Sequence, residues 1–322
     1  MTVTAAFTRR TFLVAATTLP AWPALAALET PKLYDSHLHF FTNDIAHYPI
    51  DPRNSREGEV VMRARIMSDP DTPEKVFAWW AKNGVTGGTG VQYKGAYKTD
   101  NSYVLDLADK YPEKIRPEIL IDARDPASPD TLRQLVATRR VAALRLTGFI
   151  DDSEEIPWLN SKPALEVWKV ADELALPVGI TFLPPKGAEG PLLATRRLAD
   201  RFQRCPIVLE HFGRLVNSDL SDAHLALRPY SHVHFKWTTN VIVELKGRGR
   251  PVPAFLRRAV DSFGADRIMW GSDCGNTLIP YADMVADAIG STRDLTAKER
   301  SGVLHDNGLA MFTRRVGVHP AR

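Results

Sequence analysis

The sequence contains few cysteines, almost no net charge and no fixed-period repeat. Two cysteines among 322 residues cannot form a disulfide framework or a cysteine-rich zinc site. Lysines and arginines number 41 against 38 aspartates and glutamates, so the net charge of +3 is too small to indicate a nucleic-acid or anionic-membrane partner. The composition, 44% hydrophobic and 25% charged, is that of an ordinary globular protein, which excludes disordered, collagenous and coiled-coil chains.

The first 27 residues have the order of an export signal. The pair Arg9-Arg10 precedes a short apolar stretch that ends at Ala24-Leu25-Ala26, an A-x-A cleavage pattern. This stretch is interrupted by prolines and is shorter than the roughly 20 apolar residues of a membrane span. We therefore predict a twin-arginine signal in residues 1–27 and a periplasmic mature protein without membrane association. A chance arginine pair ahead of a frayed helix is the alternative.

Short runs rich in valine, isoleucine and leucine alternate with amphipathic segments along residues 28–322. This alternation predicts an α/β fold with a parallel sheet, and eight such units can close into a (β/α)8 TIM barrel. An open, doubly wound sheet is the alternative. No linker or shift in composition divides these residues, so we expect one domain. The predicted strands are Leu33–Phe40, Gly84–Gln92, Ile115–Asp122, Val141–Thr147, Leu176–Leu183, Pro206–Gly213, Val233–Asn240 and Ile268–Cys274.

The two cysteines are expected to be unpaired thiols. Cys205 lies at the start of the sixth predicted strand, and Cys274 lies at the end of the eighth. Opposite ends of a sheet about 20 Å tall are beyond the reach of a disulfide.

A long polar segment, residues 41–67, follows the first predicted strand. Loops after barrel strands lie over the carboxyl-terminal mouth, where barrel enzymes place their sites, so this segment is a candidate lid. A solvated connector is the alternative. Arg63 and Arg65 would reach an acidic substrate or be solvated, and His47 would touch substrate or, as we favour, solvent.

The first strand carries the clearest chemical signal, His37-Leu38-His39. Residues two apart on a strand share a face, so both imidazoles are expected to point into the barrel. Two imidazoles in one cavity are costly unless they bind a metal ion or a polar substrate. The motif therefore predicts a metal or substrate site at the mouth of the barrel.

Together with later motifs, this start resembles the amidohydrolase superfamily. The later motifs narrow the resemblance to its second branch, which includes 2-pyrone-4,6-dicarboxylate lactonase, sulfomuconolactone hydrolase and sugar lactonases. The similarity spans essentially all of residues 28–322. The motifs are Asp35-Ser36-His37-Leu38-His39, Val91-Gln92 followed by Asp100-Asn101-Ser102, Leu144-Arg145-Leu146, His211-Phe212-Gly213-Arg214 and Trp270-Gly271-Ser272-Asp273.

The resemblance implies roles for three residues of the last two motifs. Asp273 would take a proton from the attacking water, and a carboxylate held beside that water is a suitable general base. His211 would contact the substrate carbonyl or a metal ion. Arg214 would bind a substrate carboxylate, for which the planar guanidinium is suited. Capping of the following helix is the alternative role for Asp273.

The sequence leaves the metal content open. The resemblance places Arg145 where other members carry a metal-bridging lysine or glutamate, which disfavours a binuclear site, and Arg145 would instead bind a substrate anion. His37, His39, His211 and Asp273 could hold one zinc or other divalent ion. The pyrone-dicarboxylate lactonase type uses the same set without metal.

Two further charged residues have weaker assignments. Strand alternation predicts that Glu210 faces outward, away from the barrel interior. Lys236 is expected inside or near the mouth of the seventh strand, where it would bind an anion or form an ion pair.

The leading functional prediction is a hydrolase that opens a small carboxylated lactone or related cyclic ester with an Asp273-activated water. A zinc-dependent nonoxidative decarboxylase of the same branch is the alternative, although the decarboxylase-type E-x-H-x-H opening is missing. An exported solute-binding barrel is the non-enzyme alternative, but such a protein needs no water-activating base. The expected partner is a small acidic molecule, and no nucleic-acid partner is expected.

Overall fold

The chain forms a (β/α)8 barrel. The structure, a computed structural model, describes residues 31–149, 155–183 and 188–314. Within these residues, eight parallel strands follow one another around the barrel in sequence order, which confirms the predicted TIM barrel and excludes the open sheet. The strands are β1 (Leu33–Leu38), β2 (Val85–Val91), β3 (Ile115–Leu120), β4 (Ala143–Phe149), β5 (Val178–Leu183), β6 (Ile207–Leu209), β7 (Val233–Thr238) and β8 (Ile268–Gly271).

The barrel closes where the chain segments after β1 and β8 meet. His39 donates its backbone N–H to the Cys274 carbonyl at 2.9 Å, and Asp273 donates its own to the His37 carbonyl at 2.7 Å. Leu38 and Cys274 form a parallel bridge at the same place. Closure therefore brings the H-x-H motif of the first strand beside the aspartate that follows the last one.

Helices cover the outside of the barrel. The helix α10 (Val252–Phe263) buries one stripe of apolar residues, Phe255, Leu256, Ala259, Val260 and Phe263, as expected for a helix packed on a sheet. No helix in the described ranges is long and apolar enough to cross a membrane. The helices are α1 (Glu59–Ser68), α2 (Pro73–Asn83), α3 (Lys94–Tyr97), α4 (Ser102–Lys110), α5 (Ser128–Thr138), α6 (Lys162–Glu173), α7 (Glu189–Arg201), α8 (Asp222–Leu225), α9 (Thr239–Gly247), α10 (Val252–Phe263), α11 (Tyr281–Ser291), α12 (Ala297–Ser301) and α13 (Asn307–Thr313).

The segment after β1 contacts the mouth of the barrel. Arg56 Nη2 donates to Asn276 Oδ1 at 3.1 Å, and the Tyr93 hydroxyl donates to the same oxygen at 3.0 Å. Asn276 follows β8 and Tyr93 follows β2, so residues 41–67 reach over the carboxyl ends of the strands. Opening and closing of this segment stays a prediction.

Three side chains of this segment that were candidates for substrate contact, Arg63, Arg65 and His47, are paired within it. Arg65 forms an ion pair with Glu57 at 3.2 Å, and Arg63 lies 3.5 Å from Glu59. His47 is exposed and lies 2.9 Å from Asp44. These pairs do not require a substrate for their charge balance.

Two sequence predictions concern other parts of the chain. Cys205 and Cys274 are both free and buried. The predicted export signal, residues 1–27, lies outside the described residues, so processing and periplasmic location stay predictions.

Candidate active site

Asp273 converges with both histidines of the H-x-H motif. Asp273 Oδ1 lies 3.4 Å from His37 Nε2 and 3.5 Å from His39 Nε2. All three side chains are buried. The two imidazole rings stand nearly perpendicular, with centroids 5.1 Å apart. Barrel closure thus gathers two imidazole nitrogens around one carboxylate oxygen.

Asp273 is held by one of its two oxygens. It has a φ of 57°, a left-handed conformation that is uncommon outside glycine. Asn276 Nδ2 and Thr277 Oγ1 donate to Asp273 Oδ2 at 2.8 and 2.7 Å. Asp273 Oδ1 has no hydrogen-bond partner among the described residues. The next helix begins only at Tyr281, so Asp273 does not serve as its cap.

His39 is fixed in one orientation by the end of β2. Its Nδ1 lies 2.8 Å from the Val91 carbonyl oxygen, which can only accept, so Nδ1 carries the proton and Nε2 presents a lone pair to the site. The Tyr93 ring packs against the imidazole with centroids 4.7 Å apart. Burial lowers the pKa of His39 to about 4, so the imidazole is neutral at neutral pH.

His211 lies in a 3-10 turn, Glu210–Gly213, directly after β6. Its Nδ1 lies 2.8 Å from Thr238 Oγ1, and its ring centroid lies 5.0 Å from that of His37. Burial lowers the pKa of His211 to about 4. Arg214 follows this turn with a φ of 62° and is half-buried. Its predicted role as an anion anchor stays a prediction.

Glu210 faces the barrel interior, so the prediction of an outward side chain is wrong. β6 ends at Leu209, and the 3-10 turn that begins at Glu210 interrupts the alternation of strand faces. Glu210 Oε2 lies 2.8 Å from Arg145 Nη2, and Oε1 lies 3.4 Å from His37 Nδ1. Glu210 therefore connects Arg145 to the back of His37.

Arg145 is buried among acceptors. Its Nε donates to Glu210 at 2.9 Å, Nη1 donates to the Gln92 carbonyl at 3.2 Å, and Nη2 donates to Thr181 Oγ1 at 3.1 Å. Thr181 also donates to Glu210. Because Glu210 already balances the charge of Arg145, a substrate anion would have to share this guanidinium, and that role stays a prediction.

Lys236 is fully buried on the other side of Glu210. Its Nζ lies 2.6 Å from Glu118 Oε2, 3.3 Å from Glu210 Oε1 and 3.2 Å from His37 Nδ1. An ammonium group has three N–H donors, and these contacts use all three. Lys236 therefore forms a structural ion pair, the second of its two predicted roles.

Glu118 is the member of this network that sequence reasoning missed. It lies on β3 and is fully buried, and burial raises its pKa to about 7 despite the neighbouring Lys236. A Cβ on Gly179 of β5 would approach Glu118 Oε1 to an impossible 1.9 Å, so only glycine leaves room for the carboxylate. A glutamate in the middle of a predicted strand was the available signal.

The site combines ionised carboxylates with the neutral imidazoles of His39 and His211. Burial alone would lower the pKa of His37, but the charge of Glu210 outweighs it and the pKa of this imidazole is raised. Burial raises the pKa of Asp273, but His211, His37 and His39 outweigh it, and the pKa lies well below its usual range. Burial also raises the pKa of Glu210, but the charges of Arg145 and His37 outweigh burial and hold the pKa well below its usual range. This carboxyl is therefore ionised too. Asp273 is therefore available as a proton acceptor at neutral pH.

The same residues suit a divalent metal ion. His37 Nε2 and Asp273 Oδ1 are buried polar atoms without a hydrogen-bond partner in the part of the chain that the structure describes. With His39 they offer three ligand atoms that lie within 4.8 Å of one another, and a second set consists of His37, Glu210 and His211. Nitrogen and oxygen donors of this kind suit zinc.

The chain belongs to the amidohydrolase family. The model of this family matches residues 34–314, which include every site residue described above. No curated protein matches the sequence with significance.

Solved structures of this family share the fold at low sequence identity. A probable 2-pyrone-4,6-dicarboxylic acid hydrolase from Acinetobacter baumannii, with citric acid bound, has a TM-score of 0.66 and 15% identity over 87% of this chain and 99% of its own. An amidohydrolase from Burkholderia multivorans with bound zinc has a TM-score of 0.65 and 16% identity, and the match covers 87% of this chain and 99% of its own. A 2,6-dihydroxybenzoate decarboxylase from Rhizobium has a TM-score of 0.62 and 14% identity over 88% of this chain and 98% of its own.

Proposed function

We propose that this amidohydrolase opens a small carboxylated lactone or related cyclic ester by attack of water. The observation that supports the proposal is the buried Asp273, whose Oδ2 is held by two donors. Its Oδ1 faces two imidazoles and has no hydrogen-bond partner among the residues that the structure describes. A general base needs a fixed acceptor atom that is free to take a proton from water. Asp273 Oδ1 has both properties.

The imidazoles have different tasks: His39, whose Nε2 is an acceptor, orients the attacking water, and His37 and His211 polarise the substrate carbonyl. His39 presents Nε2 to the point that Asp273 Oδ1 faces, with its other nitrogen fixed on the Val91 carbonyl. His37 lies across the same point, backed by Glu210 and Lys236, and His211 lies beside it. Preorganised groups around the developing oxyanion lower the barrier of acyl transfer because they need no rearrangement during the reaction.

A divalent metal, when bound, supplies Lewis-acid polarisation of the carbonyl and lowers the pKa of a bound water. His37, His39 and Asp273 would hold it, with His211 close by. The orientation of the imidazoles comes from the protein in either case, whereas Asp273 Oδ1 is free to accept a proton only when it does not ligate the metal.

The substrate is proposed to carry a carboxylate because the site is rich in arginine. Arg145 lies at the base of the cluster, and Arg214 follows the turn that carries His211. A guanidinium binds planar carboxylates with two parallel hydrogen bonds, which fixes the ring to be opened.

The test is turnover of a lactone panel by the purified protein, with its metal content measured on the same sample. We expect ring opening, seen as release of one acid equivalent per lactone, with carboxylated lactones preferred over neutral ones. Carbon dioxide release from a carboxylated phenol, without lactone opening, would show a decarboxylase instead. Tight binding of lactones without any turnover would show a binding protein.

A further inference from the structure

A cavity lies at the carboxyl ends of β3 and β4, beside the catalytic cluster of His37, His39, His211 and Asp273. Its volume is about 270 Å³. The walls are formed by residues 120–124 and 146–149, together with Lys94, Thr99, Pro157 and Trp158. None of the histidines of the catalytic cluster lines it, nor does Asp273.

Lys94 brings an unbalanced positive charge to this cavity. Its half-buried Nζ donates to the Thr147 carbonyl at 3.1 Å, and no carboxylate of the described residues lies within ion-pair distance. The other cation in the wall, Arg124, is already bound by both oxygens of Asp122 at 2.8 and 2.6 Å. Among the described residues, Lys94 therefore has no anion within ion-pair distance.

The surroundings of Lys94 favour a bound anion. Burial lowers the pKa of Lys94, and the charges of Arg124 and Arg145 add to this effect, against the opposing effect of Asp122. An anion placed on the ammonium would reverse this by favouring its charged form.

Lys94 is tied to the catalytic cluster through a short stretch of backbone. The Val91 carbonyl fixes His39, the next carbonyl, that of Gln92, binds Arg145, and the Tyr93 ring packs on His39. Lys94 follows directly, and four residues span at most about 14 Å when extended. A substrate that extends from the cluster into this cavity would therefore contact Lys94.

The cavity is also lined by the indole of Trp158. The Trp158 indole donates Nε1–H to the Phe149 carbonyl at 2.9 Å. A Cβ on Gly148 would lie 2.4 Å from the Trp158 ring, so glycine at this position allows the indole to pack against β4. A planar ligand could stack there with its charged group toward Lys94.

We propose that this cavity is the subsite for a carboxylate-bearing ring of the substrate and that Lys94 binds a carboxylate of that ring, in addition to the contact proposed for Arg214. The inference rests on the proposed function, because it places the acidic group of the same substrate. The Lys94 ammonium binds the carboxylate, and the indole of Trp158 covers the ring.

The test measures binding of isophthalate, a planar dicarboxylate, to the full protein by calorimetry. We expect Lys94→Met to weaken isophthalate binding about 10- to 100-fold, the usual effect of losing a charge-assisted hydrogen bond, and Lys94→Arg to retain most of the affinity. Isophthalamide, of similar shape without charge, should bind the parent and Lys94→Met within about twofold. Lys98→Met is the matched control, because Lys98 bonds the Arg53 carbonyl and does not line the cavity.

Parental affinity of Lys94→Met for isophthalate would overturn the proposal, and so would equal losses for isophthalate and isophthalamide. Failure of the parent to bind isophthalate at about 10 mM would overturn it as well, since a charged subsite should bind more tightly than about 1 mM. Binding is measured without turnover, so a protein that binds as expected but opens no lactone refutes the proposed reaction and leaves the subsite standing. Thermal unfolding at the parental temperature confirms that each variant is folded.

Discussion

Removal of the Lys236 ammonium should destabilise the barrel strongly. Lys236→Met keeps most of the apolar stem but leaves the buried Glu118, whose Oε2 lies 2.6 Å from Nζ, without its counterion. Glu210 retains Arg145 at 2.8 Å, so the main uncompensated charge is that of Glu118. Breaking a buried pair by removing one partner costs about 3–5 kcal/mol. We expect a loss of this size in the free energy of unfolding at pH 8.

The assay is urea unfolding of a double-mutant cycle. Glu118→Gln removes the stranded charge, so Lys236→Met with Glu118→Gln should recover at least about 1 kcal/mol relative to Lys236→Met alone. The loss in the free energy of unfolding caused by Lys236→Met alone should also be smaller at pH 6, because Glu118, with its pKa already near 7, takes up a proton there. Lys246→Met, at an exposed pair with Asp287, should cost less than about 1 kcal/mol. A cost of Lys236→Met below about 1 kcal/mol, or additive losses in the double variant, would refute this reasoning.

Three further predictions use single variants. Burial lowers the pKa of His224 from about 6.5 to about 4 in the folded protein. The neutral imidazole therefore stabilises the fold fully above pH 6.5, and about 2 kcal/mol of this stabilisation is lost at pH 5. His224→Gln should lack this part of the pH dependence of urea unfolding, and an unchanged dependence would contradict the prediction. Arg214→Met should raise the KM for carboxylated lactones and leave that for neutral lactones nearly unchanged. An equal rise in KM for both kinds of lactone would show that Arg214 shapes the site instead. Arg9→Lys with Arg10→Lys should retain the uncleaved precursor in the cytoplasm, and normal processing would exclude a twin-arginine signal.

The order of strands was predictable because apolar runs reveal buried parallel strands, but the ends of the strands were not. The predicted sixth strand ran to Gly213, whereas β6 ends at Leu209 because His211 and Phe212 adopt left-handed conformations. The eighth ended early for the same reason, since Asp273 has a φ of 57°. Backbone conformations of this kind leave no mark in a hydrophobic pattern.

The H-x-H pair was predictable from the two-residue period of a strand, but the network behind it was not. Glu118, Lys236 and Glu210 lie on β3, on β7 and after β6, and they meet only because the barrel closes. Their pairing depends on which faces point inward, and one broken alternation at Glu210 reversed that expectation. A sequence pattern describes local periods, whereas contacts across a barrel depend on register.

The role of Asp273 as general base is the central claim, and steady-state kinetics of Asp273→Asn test it most directly. Asparagine keeps the size of the side chain but removes the proton acceptor at Oδ1, which has no other partner among the described residues. On the best substrate of the lactone panel, kcat should fall by about 10²–10⁴ while KM changes little. A folded Asp273→Asn protein that turns over this substrate at the parental kcat would contradict the account.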